Sequence, residues 1–395
     1  MRHAICIVVD RLSAGFLGAY GNTWIDTSNF DQLASEANVF DQMIVDSPRL
    51  SSLYDAYWTG SHAVRPCSSG SLPDILKAAN VASVLLTDDA AVAEQDLSAR
   101  FDDRSLVELP IARQVAEDVE KTHFADFFAA AASQLGELSK PTMIWLHTCG
   151  LAKTWDAPVT SRTRYAAEED PDAYDSAEVP CLRLEAEYDP DELLRYVHAY
   201  AGQVTSWDEC LGGFLQAIED QGLAEDTLLI VMGARGFPLG EHRHVGGYRV
   251  EGQGEPLYGE LVHVPCVMRI KGDSAARRSL AFVQPPDVFS VLVNWFNDSG
   301  SAGGLHLPQE VAVARSRPGE LRNRAAIVGE GEEWAIRTSN WFLRSTLAES
   351  PELYVKADDR WEVNDVADRC PDVVNKLCSA YKATCEGDSS SPLDF

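Results

Sequence analysis

The chain has 395 residues, with 33 Lys and Arg against 61 Asp and Glu, so its formal net charge at neutral pH is −28. A surface this acidic repels phosphate backbones and anionic lipid head groups, so neither nucleic acid nor a membrane is an expected partner. No apolar run approaches the roughly 20 residues that cross a bilayer, and the opening run 5–9 is too short for a secretory leader. We therefore expect a cytoplasmic globular protein with a sizeable core.

Nine cysteines are spread along the chain without CxxC pairs. An odd number without paired spacing is typical of reduced cysteines rather than of a disulfide framework or a zinc site. No feature of the sequence specifies an oligomeric state.

Short apolar runs separated by helical patterning predict the strands of a buried sheet at 5–9, 82–86, 143–147, 228–232 and 264–270. This alternation favours an α/β fold, a doubly wound, mostly parallel sheet with helices on both faces. The spacing predicts one helix over 111–138, and a second after Asp189 and Pro190, which are suited to the N-cap and first helical positions. The polar stretch 166–178 predicts a solvated loop.

A stretch rich in Gly, Ser and Pro over 299–320 ends this part of the chain. The residues after it have a different pattern of apolar and polar side chains. Short β-like runs and a helical pattern follow at 335–338, 341–344 and 371–381, before a polar tail over 386–395. The sequence therefore predicts an α/β domain over 1–310 and a small C-terminal subdomain over 320–395, which consists of an antiparallel sheet with one helix.

Several short motifs occur in an order that matches one known family: Ile7-Val8-Val9-Asp10, Leu17-Gly18-Ala19-Tyr20-Gly21-Asn22, Thr59-Gly60, Gly240-Glu241-His242, Leu257-Tyr258-Gly259-Glu260 and Pro351-Glu352-Leu353-Tyr354. In these motifs the chain resembles the sulfatase family, within the alkaline phosphatase superfamily, over nearly its whole length. The resemblance implies a site at the carboxyl ends of the central strands. It also implies hydrolysis of sulfate esters by a Cys or Ser that has been converted to formylglycine beside a calcium ion.

The resemblance places the family's nucleophile ten residues before the glycine of the Thr-Gly pair. Counting back from Gly60 puts Leu50 at the nucleophile, Ser52 at the proline of the motif and Tyr54 at its arginine. A leucine side chain cannot become an aldehyde by that modification. Ser51 and Ser52 are weak substitutes, since neither has an evident adjacent base to activate its hydroxyl.

The calcium ligands implied by the resemblance are also replaced. The family uses two consecutive carboxylates after the first strand and an Asp-His or Asp-Asn pair after a later one, whereas this chain has Asp10-Arg11 and Ala234-Arg235. Calcium takes about six to eight oxygen ligands, and two guanidinium groups would repel it, so we expect no bound metal and no cofactor. The family's lysine after Gly-Glu-His corresponds to about Gly247.

Two interpretations of the arginines stay open. In the first, Arg11 and Arg235 replace the positive charge of the metal, one guanidinium pairs with Asp10, and the other keeps donors for a small anion. In the second, the pocket has collapsed and both arginines face solvent. The first interpretation predicts an arginine-lined anion site around Asp10.

Three histidines offer a different chemistry. His147, His242 and His244, together with Asp10 and Glu241, are candidates for a repurposed metal or acid–base site. The simpler interpretation is that His147 ends a buried strand and that the Gly-Glu-His motif shapes a loop.

The function predicted from these residues is that of a sulfatase-like protein without the formylglycine nucleophile or most metal ligands, which binds an anionic or carbohydrate-like ligand. Its candidate ligand-binding residues are Asp10, Arg11, Arg235, Glu241, His242 and His244. One alternative is an active sulfuric or phosphoric ester hydrolase, with Ser51, Ser52, His147 and His242 as catalytic candidates. Another is a structural module that binds a protein partner, which an exposed apolar patch would favour, whereas a retained pocket favours the first two functions.

Overall fold

The computed structural model of the protein describes residues 1–66, 70–247, 254–270, 277–297, 323–345, 350–356 and 358–386. Its strands are β1 (His3–Val9), β2 (Asn38–Ile44), β3 (Ala82–Thr87), β4 (Asp103–Leu106), β5 (Thr142–Thr148), β6 (Leu182–Arg183), β7 (Thr227–Gly233), β8 (His244–Val245), β9 (His263–Val264), β10 (Cys266–Ile270), β11 (Arg277–Val283), β12 (Arg324–Val328), β13 (Trp334–Thr338), β14 (Trp341–Ser345) and β15 (Glu352–Val355). Its α-helices are α1 (Ser28–Ser35), α2 (Leu50–Thr59), α3 (Leu72–Ala78), α4 (Ala90–Ala93), α5 (His123–Ser133), α6 (Gly150–Lys153), α7 (Val159–Thr163), α8 (Pro190–Asp220), α9 (Gly259–Val262), α10 (Pro285–Asn297) and α11 (Pro371–Glu386).

The large sheet confirms the predicted fold class. Its strand order is β11-β2-β10-β7-β1-β5-β3-β4, and β9 pairs with β2. Strand β1 lies between β5 and β7 and is parallel to both, whereas β10 runs antiparallel to β7. Every residue of β1, β5 and β7 is buried, as expected for central strands covered by helices on both faces. The carboxyl ends of these three strands therefore meet at one edge of the sheet.

Helix α8 begins where the sequence predicts. Asp189 is the N-cap, its carboxylate accepts a hydrogen bond from the backbone N–H of Asp191, and Pro190 opens the helix. The polar stretch 166–178 is irregular chain, as predicted, and the buried Arg162 guanidinium donates to two carbonyls within it.

The helix predicted over 111–138 is wrong for its first half. Helix α5 begins at His123, because the Thr122 side chain accepts a hydrogen bond from the N–H of Ala125 and caps the helix there. Residues 111–118 are irregular, and the N–H of Ala116 donates to the Asp156 carbonyl instead of to a helical partner. Apolar periodicity alone does not distinguish a helix from such a segment.

The C-terminal sheet is antiparallel, in the order β12-β13-β14-β15, as predicted. Side chains alternate across it, so Ala335 of β13 packs into the core of the large sheet while Ile336 packs with Leu377 of α11. The 299–320 boundary lies outside the described residues, as does the tail beyond residue 386, so the domain limits stay predictions.

Within the described part of the chain, no disulfide joins the cysteines. The helices seen there are all too short or too polar to cross a lipid bilayer.

Candidate functional site

The loops that follow β1 and β7 lie side by side at the carboxyl edge of the sheet. The backbone N–H of Asp10 donates to the Thr148 carbonyl at 2.9 Å, and that of Ala234 donates to Val9 at 3.0 Å. Arg11 has left-handed backbone geometry, with φ of 69°, a conformation that costs a non-glycine residue about 1–3 kcal/mol and is concentrated at functional sites.

Asp10 and Arg235 form a bidentate ion pair at this edge. Nε of Arg235 donates to Oδ1 of Asp10 at 2.8 Å, and Nη2 donates to Oδ2 at 3.0 Å. The Asp10 side chain is 1% exposed and that of Arg235 is 12% exposed. Burial raises the pKa of Asp10, but the charge and hydrogen bonds of Arg235 outweigh that effect and hold the pKa below its ordinary value. The remaining nitrogen of Arg235, Nη1, donates to the Pro48 carbonyl at 3.3 Å.

Glu255 binds the second guanidinium group. Nη2 of Arg11 donates to Oε1 of Glu255 at 2.7 Å, and Nη1 lies 2.6 Å from Oε2. Nη1 of Arg235 is 3.5 Å from the same carboxylate. Asp10, Arg235, Glu255 and Arg11 therefore form a buried chain of alternating charges whose formal sum is zero, which we name the charge network. The expectation that one guanidinium keeps its donors for an anion is not met, because the Glu255 carboxylate binds Arg11.

Helix α2 spans the ten residues counted back from the glycine of the Thr-Gly pair, and the assignment of Leu50 to the nucleophile position stays a prediction. Leu50 is its first residue and packs against the core, and the helix ends at Gly60. Gly60 has φ of 70°, and a Cβ there would lie 2.6 Å from the Phe289 ring, so glycine is required. Ser51 is exposed and Ser52 is partly buried, and no described histidine forms a hydrogen bond with either hydroxyl.

Tyr54, at the arginine position of the motif, contacts His147. Its hydroxyl forms a hydrogen bond with Nδ1 of His147, and both side chains are fully buried. Burial raises the pKa of Tyr54 and lowers that of His147, so both groups are uncharged at neutral pH. This pair therefore supplies neither a phenolate nucleophile nor a cation.

A further polar group, which the sequence analysis did not select, follows β3. Oδ2 of Asp88 lies 2.8 Å from Nε2 of His123 and accepts a hydrogen bond from the Thr148 hydroxyl at 2.8 Å. Its Oδ1 accepts from the backbone N–H of Cys149 at 2.7 Å. Asp88 directly follows a buried strand, as Asp10 does, and this position could have predicted it as a site residue. No sequence pattern marks His123 as its partner.

The Gly-Glu-His loop has partners of its own outside the charge network. Nδ1 of His242 is 2.6 Å from Oε1 of Glu260, and Nε2 donates to the Glu362 carbonyl at 3.0 Å. Burial lowers the pKa of His242, but the hydrogen bond and charge of Glu260 outweigh it and raise the pKa overall. Because both ring nitrogens donate, His242 has no lone pair for a metal. His244 lies in β8, which pairs with β6.

A family model decides what kind of protein this is. The sulfatase model matches residues 2–298. The chain belongs to the sulfatase family. Among curated proteins, the multifunctional alkaline phosphatase superfamily protein PehA of Trinickia caryophylli is 27% identical over 114 residues, which are 28% of this chain and 20% of that protein. The match thus spans about a fifth of the length of that relative.

Solved structures share the fold over the whole chain. A protein in complex with its substrate D-glucosamine-2-N,6-O-disulfate has a TM-score of 0.76 at 15% identity and covers 99% of this chain and 100% of its own. The phosphonate monoester hydrolase of Agrobacterium radiobacter has a TM-score of 0.75 at 17% identity, with 98% and 96% covered. Ps i-CgsB in complex with k-i-k-neocarrahexaose has a TM-score of 0.70 at 13% identity, with 99% and 93% covered. At these identities the likeness shows the fold.

The donor set of this sulfatase-family chain does not fit a calcium ion. Both carboxylate oxygens of Asp10 accept hydrogen bonds from Arg235. The other three positions hold Arg11, Ala234 and Arg235, whose side chains have no oxygen, whereas calcium takes about six to eight oxygen ligands. Across the residues that the structure describes, no three His, Cys, Asp or Glu side chains are grouped as metal ligands.

Gly247, which the resemblance to the family places at about the position of its lysine, lies beside the Arg11 guanidinium. A Cβ at residue 247 would lie 3.2 Å from Nη2 of Arg11 and 3.8 Å from Oε1 of Glu255. The first separation is tighter than ordinary van der Waals contact, so a side chain at 247 would displace the Arg11 guanidinium. The absence of a side chain at this position leaves room for a cation that comes from residue 11.

Glu241 predicts a pH dependence of stability. Burial, followed by the charge of Glu260, raises the pKa of Glu241 from 4.5 to about 7. Between these values the native state holds a proton that the unfolded chain has lost, so stability falls as pH rises through this window. The raised pKa of His242 has the same sign above its ordinary value. We therefore expect Glu241→Gln to flatten the decline in Tm between about pH 5 and 7.

Thermal unfolding at several pH values measures this effect. The matched control is Glu168→Gln, which changes an exposed glutamate on the 166–178 loop and should leave the decline as in the wild type. Equal slopes in the two variants would show that Glu241 does not hold its proton in the native state.

Proposed function

We propose that this chain is a non-hydrolytic member of the sulfatase family, which acts by binding an anionic or carbohydrate-like ligand. The observation that carries the proposal is the bidentate contact of Arg235 with Asp10, at 2.8 and 3.0 Å. It occupies both oxygens of the one family metal ligand that the chain retains, and it places a permanent cation beside them.

The rest of the site supports the loss of hydrolysis. Ester hydrolysis of the family's kind needs an activated nucleophile. It also needs positive charge that is not neutralised by carboxylates and can stabilise the oxygens of the transition state. Leu50 supplies no nucleophile, and no described side chain forms a hydrogen bond with the Ser51 hydroxyl. The guanidinium groups of Arg11 and Arg235 are neutralised by Glu255 and Asp10, so little of their charge is available to a substrate.

The binding half of the proposal is motivated by the fold. One structural neighbour is described with a disulfated glucosamine as its substrate and another in complex with a neocarrahexaose. Those ligands belong to those proteins, and their presence on the same fold supports the proposal of a sugar-like ligand for this chain. A ligand of this chain would use donors outside the charge network, because Glu255 and Asp10 neutralise both guanidinium groups of the network.

An activity screen with intact mass tests the proposal. We expect the mass to match an unmodified leucine at position 50, and turnover of aryl sulfate and aryl phosphate to stay at background with millimolar calcium. Ser51→Ala is the matched variant and should not differ from wild type. Saturable turnover that falls in Ser51→Ala or Asp10→Asn would overturn the proposal in favour of an active ester hydrolase.

A further inference from the structure

A cavity of about 350 Å³ lies between the turn Ala14–Phe16, strand β2, helix α9 and the C-terminal sheet. Neither Asp10 nor Arg235 is among its lining residues, so it is separate from the charge network.

Most charged groups around the cavity are already paired. Three ion pairs account for three of its carboxylates: Arg278 with Asp41 at 2.8 Å, Lys356 with Glu362 at 2.5 Å and His242 with Glu260 at 2.6 Å. The fourth carboxylate, Glu241, accepts a hydrogen bond from the N–H of Leu239 at 2.7 Å. Among the described residues, none of these four carboxylates forms an ion pair with Arg337 or Arg360.

Two guanidinium groups of the lining, those of Arg337 and Arg360, form no ion pair with any residue that the structure describes. Arg337 uses Nη1 for the carbonyls of Thr338 and Trp341, which leaves Nε and Nη2 as donors. Burial lowers the pKa of Arg337 to about 10, so the group stays charged at neutral pH. Glu362 is the charged neighbour acting on it, and that carboxylate is bound to Lys356.

Arg360 is exposed, and no described residue accepts a hydrogen bond from its guanidinium. Its guanidinium lies 5.0 Å from the centre of the Trp361 ring, a cation–π contact that leaves the N–H groups free. Its Nη2 would be 3.9 Å from a Cβ on Gly15, so the side chain reaches the turn after β1. Two guanidinium groups without a carboxylate partner among the described residues line one cavity of a protein with net charge −28. Their positive charge favours binding of an anion there.

The same cavity offers surface for the rest of an organic ligand. Trp361 is 56% exposed and lines the cavity together with Phe16, and an exposed aromatic surface packs against the apolar face of a ring. The carboxylates of Glu241 and Asp41 supply acceptors for hydroxyl groups. A few convergent polar groups beside an apolar wall are typical of small-molecule sites.

We propose that this cavity binds an organic oxyanion, a sulfate or carboxylate group on a hydroxylated ring, with the oxyanion held by Arg337 and Arg360 and the ring against Trp361. The proposal rests on the proposed function for its choice of a sugar-like ring and on the two guanidinium groups for the oxyanion. It places ligand recognition at the contact between the α/β domain and the C-terminal sheet.

Titration calorimetry of the full chain tests the proposal with glucose 6-sulfate, glucuronate and neutral glucose as probes. At least one charged probe should bind saturably, and glucose should bind at least about tenfold more weakly, since a hydrogen bond to a charged group contributes about 1.5–3 kcal/mol. Arg360→Gln and Arg337→Gln should each weaken the charged probe about tenfold or more. Arg100→Gln, which removes an exposed arginine paired with Asp74 elsewhere, is the matched control and should bind like wild type.

Each outcome separates this inference from the proposed function. If Arg360→Gln binds the charged probe as tightly as the wild type does, the probe does not bind in this cavity. The proposed function would still stand. If glucose binds as tightly as glucose 6-sulfate, the claim that the site recognises an oxyanion is wrong. If no probe binds, the claim that the cavity is a ligand site is wrong. Hydrolysis of aryl sulfate by a protein that also binds through Arg360 contradicts the proposed function and leaves the cavity assigned.

Discussion

Replacing Arg235 with methionine is expected to destabilise the protein by about 3–5 kcal/mol, because it leaves the Asp10 carboxylate buried without its partner. Methionine keeps much of the stem and removes the charge. Urea unfolding at pH 7 measures the change. The wild-type pKa of Asp10 is lowered in the native state, so the stabilisation is present above the ordinary carboxyl pKa. It is lost as pH falls through the lower native value.

A double-mutant cycle isolates the pair. Asp10→Asn added to Arg235→Met should recover most of the lost stability, because a neutral amide is far cheaper to bury than an unpaired carboxylate. Arg100→Met removes an exposed pair with Asp74, whose side chains are 54% and 50% exposed, and should change stability by less than about 1 kcal/mol. A double variant as unstable as Arg235→Met would show that the loss is packing and not charge.

Restoration of the family's ligand set is expected to create a calcium site where the wild type has none. The variant combines Arg11→Asp, Ala234→Asp and Arg235→Asn with the native Asp10. Because Arg11→Asp removes the partner of Glu255, the same set is also made with Glu255→Gln. Thermal unfolding should then depend on calcium, with about 2.7 kcal/mol gained at a concentration of 100 Kd.

Two controls make this result specific. Asp10→Asn in the restored background should abolish the calcium response, because it removes one of the carboxylate ligands. Addition of EDTA should return the restored variant to its calcium-free Tm. Folded variants that show no calcium response would contradict the view that the two guanidinium groups are what excludes the metal.

The parts of the site carried by local patterns could be predicted from the sequence. Strands β1 and β7 are continuous apolar runs, so the residues that follow them, Asp10 and Arg235, were expected at one edge of the sheet. The residues counted from the Thr-Gly pair back to Leu50 lie in one unbroken helix, α2, which ends at the left-handed Gly60.

The parts of the site that depend on long-range contacts could not be predicted from the sequence. Glu255 lies 244 positions from Arg11 along the chain, in a segment with no regular structure, so no local pattern connects it to the site. Arg337 and Arg360 come from a β-strand and a loop of the C-terminal subdomain, and only the packing of that sheet on the large domain brings them to one cavity. The helix predicted over 111–138 failed for a local reason, the N-cap at Thr122, which apolar spacing does not report.

The most direct test of the central claim is a calorimetric titration of calcium into the wild-type protein that has first been dialysed against EDTA. The account predicts no saturable heat and no change in Tm between millimolar calcium and EDTA, because both oxygens of Asp10 are held by Arg235. Saturable binding of one calcium ion per chain that Asp10→Asn abolishes would contradict it.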